Sequence, residues 1–232
     1  MRAHADPTRA RTVARFFKTA PGEYGAGDVF LGVSVPSVRL VATRFRALPL
    51  AQVVALLGSK FHEERLLALV ILVARFQRGG VIERRAIFEL YRRNLRAVNN
   101  WDLVDTSAPG IVGAYLEQRD RGWLDRLARS PRVWDRRIAI VSTQHLIRQG
   151  DFAATLRLAR TLLRDRDDLI HKAAGWMLRE VGNRDEATLV AFLARYADAM
   201  PRTMLRYAIE RLPPSRRRAY LSERRARIRD RL

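Results

Sequence analysis

The sequence predicts an all-α fold, a solenoid of antiparallel helix pairs with a concave basic groove. Three observations carry this expectation. Strand-type alternation is almost absent, and from Leu48 onward apolar residues recur at helical spacing in segments of about 10–18 residues divided by short breaks. Small residues return at Ala68, Ala108, Ala139, Ala174 and Ala208, a period of about 35 residues, as in a two-helix repeat. The second helix of each pair also opens alike. His62–Ala68, Val133–Ala139, Ile170–Ala174 and Arg202–Ala208 each begin with polar or cationic residues, reach a small residue and continue as an apolar run.

In chain order, 1–47 form N-terminal cap helices and a glycine-rich loop, 48–212 the repeats, and 213–232 a basic C-terminal helix or tail, all within one domain of 232 residues. The first helical pattern carries Val13, Phe16 and Phe17 among arginines. The loop Pro21-Gly22-Glu23-Tyr24-Gly25-Ala26-Gly27-Asp28 has neither of the spacings that cradle phosphate. Pro36 suits the first turn of a helix that would send Val38, Leu40, Val41 and Phe45 to the core. If the second helices line the concavity, Glu64, Arg65, Trp101 to Asp105, Arg136, Arg137, His171, Lys172, Arg202 and Arg206 point into it.

Composition narrows the partner. Lys+Arg number 44 against 24 Asp+Glu, a formal net charge of +20, and the lysines are confined to Lys18, Lys60 and Lys172. Such a balance points to a polyanion, most often nucleic acid. With no cysteine, disulfides, thiolate catalysis and cysteine-ligated zinc are excluded, and a reducing compartment fits. No apolar run approaches the ~20 residues of a membrane span. His4, His62, His145 and His171 are too scattered for a ligand set, so neither metal nor cofactor is expected. No G-x-S-x-G elbow supports serine hydrolysis.

The chemistry concentrates in Asn99-Asn100-Trp101-Asp102-Leu103-Val104-Asp105-Thr106-Ser107-Ala108-Pro109. Asn100 is placed to cap a helix, and Asp102 sits in its first turn, where the dipole favours an anion. Trp101 and Asp105 are four apart, hence on one face. Leu103, Val104, Ile111, Val112 and Tyr115 supply the buried stripe. Pro109 has no N–H for the carbonyl of Asp105, so the ladder breaks there. These residues alone leave two readings open: an aromatic and carboxylate face that stabilises positive charge, or a capped helix start with a core tryptophan.

Several separated blocks are similar to those of the AlkD-like DNA alkylation repair proteins. They are Phe30-Leu31-Gly32-Val33 with Pro36, Asn100-Trp101-Asp102-Leu103-Val104-Asp105, Trp134-Asp135-Arg136-Arg137-Ile138-Ala139-Ile140, and His171-Lys172-Ala173-Ala174-Gly175-Trp176-Met177-Leu178-Arg179-Glu180. The resemblance runs from about Phe16 to Leu221. It implies a right-handed solenoid of HEAT-like repeats and a glycosylase that removes N3- and N7-alkylated purines, among them 7-methylguanine and 3-methyladenine, without swinging the base into a deep pocket. It also implies that Asp105 is the catalytic carboxylate, that Trp101 and Trp176 are the pocket indoles, and that Arg137 contacts phosphate. Tyr24 corresponds to a family tyrosine, although its spacing to Phe30-Leu31-Gly32 differs slightly. Helical pattern alone places Trp123, Trp134 and Trp176 in the core.

The expected partner is therefore duplex DNA carrying alkylated purines, met by a cytoplasmic monomer that associates with the nucleoid. Arg65, Arg136, Lys172 and Arg206 join Arg137 and Tyr24 as expected DNA contacts. Two other functions compete. A non-catalytic DNA-binding HEAT-like-repeat protein, recognising damaged or branched DNA, would keep the groove without needing the aspartate and both tryptophans. A scaffold for protein partners would line its groove with aliphatic patches instead of arginines.

Overall fold

The computed structural model describes residues 1–229, with side chains through Ser222. The last part of the expected basic tail, residues 230–232, lies outside the described residues. The chain forms two compact units, Met1–Tyr115 and Leu116–Leu232.

The first unit contains α1 (Pro7–Phe16), α2 (Val35–Arg44), α3 (Leu50–Leu57), α4 (His62–Arg78), α5 (Val81–Arg93) and α6 (Trp101–Ala108). Its axis is α4, which packs against α2, α3, α5 and α6. The second unit contains α7 (Gly122–Leu127), α8 (Val133–Arg148), α9 (Ala153–Thr161), α10 (Asp168–Arg184), α11 (Glu186–Tyr196), α12 (Arg202–Ala208) and α13 (Pro214–Arg229). Here α10 packs against α8, α9, α11 and α12. Among the described residues the sole extended pairing is an isolated parallel bridge between Val29 and Phe61. The all-α expectation holds.

The recurring alanines mark where helices press together. Ala68, Ala108, Ala139, Ala174 and Ala208 are at most 1% exposed. A small side chain at each second helix lets the neighbouring helix approach closely, which is why the period is visible in sequence. Capping follows local chemistry too. Asp6, Ser34, Asn100, Asp167 and Asp185 each accept a hydrogen bond from a backbone N–H in the first turn of the helix they precede.

Two sequence expectations are corrected and a third is given its form. Leu40 (74% exposed) and Phe45 (48% exposed) face water, because α2 turns Val38 and Ala42 inward instead. The break at Pro109 takes the form of a π-helical turn over Pro109–Gly113, a wider turn that absorbs the missing donor. Trp123 is half-buried, whereas Trp134 belongs to the core as expected.

The links into α4, α8 and α10 are closed by side-chain clasps. Before α4, the Ser59 hydroxyl binds the Glu64 carboxylate at 2.6 Å and accepts from the Phe61 N–H, while Arg65 reaches back to the carbonyls of Ser59 and Lys60. Before α8, the Ser130 hydroxyl binds Asp135 at 2.8 Å and accepts from the Arg132 N–H, while Arg136 reaches back to the carbonyls of Ser130 and Pro131. Before α10, Asp165 accepts from the Asp167 N–H and its carbonyl meets His171 Nε2 at 2.7 Å. The polar openings of α4, α8 and α10 thus satisfy backbone groups of their own corners.

Candidate functional site

The first turn of α4 is a dense set of buried charge. His62, Glu63, Glu64 and Arg65 are each no more than 7% exposed. Sequence reasoning placed Glu64 and Arg65 on an open concave face, with Arg65 against DNA. The structure buries both side chains, with Arg65 tied to Asp28 and to two carbonyls. A guanidinium so committed has few donors left for phosphate.

Each of these side chains holds a different segment. The Glu63 carboxylate accepts from the N–H groups of Leu31, Gly32 and Val33 at 2.8–3.2 Å. Gly32 is obligatory there: its φ is +79°, and a Cβ would lie 2.1 Å from the Asp6 carbonyl oxygen. Asp28, at the end of the glycine-rich loop, accepts from His62 Nδ1 at 3.0 Å, from Asn100 Nδ2 at 2.9 Å and from Arg65. His62 Nε2 meets Asp102 Oδ2 at 2.8 Å.

Burial alone would push the His62 imidazole toward neutrality. The hydrogen bonds and charges of Asp102 and Asp28 outweigh it and raise its pKa to about 9. His62 is therefore an imidazolium at neutral pH, donating from both ring nitrogens. Burial likewise opposes charge on Asp28, yet hydrogen bonds from His62 and Asn100, with the nearby cations, hold its carboxyl below the usual range. The chain Asp28–His62–Asp102 fastens the glycine-rich loop to the start of α6.

An aromatic stack runs alongside. His62 lies on Phe30 with ring centroids 4.6 Å apart, Phe30 stacks on Phe17 at 5.0 Å, and Phe17 stacks on Trp101 at 5.2 Å and 11°. Phe16 presents an edge to Trp101 at 6.0 Å. The indole of Trp101 is half-buried, and so is Asp105 one turn further along α6. Asn100 fixes the start of that turn by accepting from the Trp101 N–H at 2.8 Å while donating to Asp28. Tyr24, also half-buried, directs its hydroxyl to the Phe16 carbonyl. The first unit thus brings together Trp101, Asp105, Tyr24 and Arg65, with Arg65 in an internal role.

The second unit holds the other expected residues. Trp176 is half-buried rather than core, and its Nε1 donates to Glu180 at 3.1 Å. Beside it Gly175 lets α12 approach, because a Cβ there would lie 2.5 Å from the Met204 carbonyl oxygen. Arg136 turns inward to a nearly buried Asp165, with Nε 2.6 Å from Oδ2. That leaves it, like Arg65, a clasp more than an open cation. Arg137 is 6% exposed and donates to the Leu169 carbonyl at 2.8 Å. Lys172 pairs with Asp168 at 2.8 Å, and Arg206 is exposed. Lys172 and Arg206 share a pocket of about 430 Å³ with Thr203, Tyr207 and Glu210.

Sequence reasoning missed Asp28 and the paired role of His62. The available signal was an acid closing a glycine-rich loop and a histidine opening an apolar helix, but their separation of 34 residues hides the contact. Among the described residues no cluster of three or more His, Asp or Glu side chains is arranged to hold a metal ion. No helix among them is long and apolar enough to cross a membrane.

Comparison with known proteins agrees with the resemblance at the level of family. No curated protein matches the chain. Among solved structures, a protein from Enterococcus faecalis described as a predicted DNA alkylation repair enzyme is similar in fold. Its TM-score is 0.70 at 16% identity, over 91% of this chain and 98% of that one. A family model described as DNA alkylation repair enzyme matches residues 1–212. On that match the chain belongs to the DNA alkylation repair enzyme family.

Proposed function

We propose that the protein is a DNA glycosylase that excises cationic N3- and N7-alkylated purines, such as 7-methylguanine and 3-methyladenine, from duplex DNA. One observation carries this reading. The Trp101 indole is held by a stack of rings one helical turn from a half-buried Asp105, in a strongly basic member of a DNA repair family. Membership supplies DNA repair; the reaction and the residue roles are inferred from chemistry.

A purine alkylated at N3 or N7 already carries positive charge. When its C1′–N bond breaks, the bonding pair leaves with the base, which departs neutral and needs no proton. The demand falls on the deoxyribose, which becomes oxocarbenium-like until water adds to C1′ and loses a proton. A carboxylate at Asp105 and the electron-rich face of Trp101 are suited to stabilise that cation. This resembles the electrostatic half of glycoside hydrolysis without its general acid. In this reading the lesion stays close to the duplex, unlike the usual flipped base. Lys172, Arg206, Arg137 and Tyr24 are proposed contacts to the DNA.

The test is incubation with methylated duplex DNA and chromatography of the released bases. The wild type is expected to release at least one alkylpurine. Asp105→Asn is expected to be slower by about 10²–10³, the usual effect of one preorganised electrostatic contact. Undiminished release by Asp105→Asn overturns the assignment. Tight binding of methylated duplex by the wild type without release would favour the non-catalytic reading.

A further inference from the structure

The proposed reaction centres on α6, yet α1 carries a surface that no part of it explains. This helix has no buried residue. At about 100° per residue, Ala10, Val13 and Ala14 fall on its half-buried side, and Arg9, Arg11, Arg15 and Phe16 occupy the opposite, exposed arc. Phe16 lies two turns after Arg9 on one stripe, with Arg15 and Arg11 on the next. Phe16 is 65% exposed although its neighbour Phe17 is buried. Among the described residues, Arg9, Arg11 and Arg15 have no carboxylate partner, in contrast with Arg65 and Arg136.

A large ring left mostly in water forgoes much of the gain of burial, and this one stands edge-on to Trp101. Free cations around an exposed aromatic match the pattern that nucleic acids engage, with phosphates neutralised and a base or sugar meeting the ring.

We infer that α1 is a DNA-contact helix: Arg9, Arg11 and Arg15 take phosphates beside the lesion, and the Phe16 ring packs on the nucleotide next to the one held at Trp101. The inference rests on the reading that the lesion sits at Trp101. It adds a contact surface and a residue that senses the stacking of the neighbouring nucleotide.

Binding of methylated and unmethylated duplexes is measured by fluorescence anisotropy over a salt series, in parallel with base release. The triple variant R9A/R11A/R15A is expected to weaken binding to both duplexes alike. Its log–log salt slope should fall by about 2–3 units, near 0.9 for each phosphate that is no longer neutralised. Phe16→Ala should keep that slope and the melting temperature, since the ring is exposed, while kcat/KM falls about tenfold, the scale of one base stacked on one aromatic ring. Phe16→Trp should restore it. A triple variant with wild-type slope, or Phe16→Ala with wild-type binding and release, overturns the inference. If the wild type releases no base but the triple variant loses its slope, the DNA-contact surface stands and the glycosylase reading falls. Retention of the wild type on phosphatidylserine vesicles, abolished in the triple variant while DNA binding is untouched, would assign α1 to a membrane and also overturn it.

Discussion

The corners before α4 and α8 share one frame and carry different cargo. Ser59, Glu64, Arg65 and Ala68 correspond to Ser130, Asp135, Arg136 and Ala139, and the serine–acid, serine–amide and arginine–carbonyl bonds repeat between them. The residues between differ. The first corner has His62 and Glu63 where the second has Val133 and the buried Trp134. In the first unit those two side chains reach Asp28, Asp102 and the amides of Leu31, Gly32 and Val33. In the second they are apolar. The frame forms the corner, and the two positions ahead of its acid decide whether the helix start gathers polar groups or fills a core.

The harshest way to break this comparison is to remove the acid each arginine meets. Asp28→Asn leaves an imidazolium and a guanidinium buried without their shared carboxylate, and should cost about 3–5 kcal/mol. Asp165→Asn takes the carboxylate from one cation, Arg136, while its oxygen can still accept from the Asp167 N–H, and should cost about 1.5–3 kcal/mol. Urea denaturation of the two variants gives the ranking. Equal losses would mean that the first corner carries no more charge than the second.

A pH series sharpens the contrast further. His62 has its pKa raised from 6.5 to about 9. The stability it lends is therefore complete below pH 6.5 and is lost as pH rises through about 9. Asp28 works in the opposite sense: its pKa is lowered, so its contribution is present above its ordinary 3.8 and fades as pH falls below that. The melting temperature of the wild type should decline between pH 6.5 and 10 by the equivalent of a few kcal/mol. His62→Gln should start lower and stay flatter. Parallel curves would show that His62 carries no charge in the folded state.

The smallest expected effect belongs to the second unit. Gly175→Ala sets a methyl against the Met204 carbonyl and the Tyr207 Cβ, and should cost about 1–3 kcal/mol by forcing α12 away from α10. Base release measured on the same variant shows whether Trp176 moves with it. A neutral substitution would mean that the spacing of α10 and α12 is soft.

Local chemistry explains what was legible in the sequence. Helix starts, the Asn100 cap, the buried alanines and the shared face of Trp101 and Asp105 all follow from contacts within a turn or from a simple period. The inward fate of Arg65 and Arg136 was hidden. A cation in the first turn of a helix looks the same whether it reaches forward to solvent or back to the preceding carbonyls. Asp28 was hidden for another reason, since its partners His62 and Asn100 lie 34 and 72 residues away. Leu40 and Phe45 misled because α2 is short and its inward stripe is set by Val38 and Ala42. Trp176 is half-buried and its indole nitrogen meets Glu180 one turn on, whereas the helical pattern around it reads equally well as core.

Because the arginine of each of these two corners bonds to a carbonyl only six residues behind it, the bend is drawn tight from within, while the distant acids Asp28 and Asp165 anchor the same side chains from outside. A graft carrying His62 and Glu63 into the α8 corner would bury an imidazolium and a carboxylate away from Asp28, Asp102 and the Leu31–Val33 amides, so the joint and its distant partners must change together.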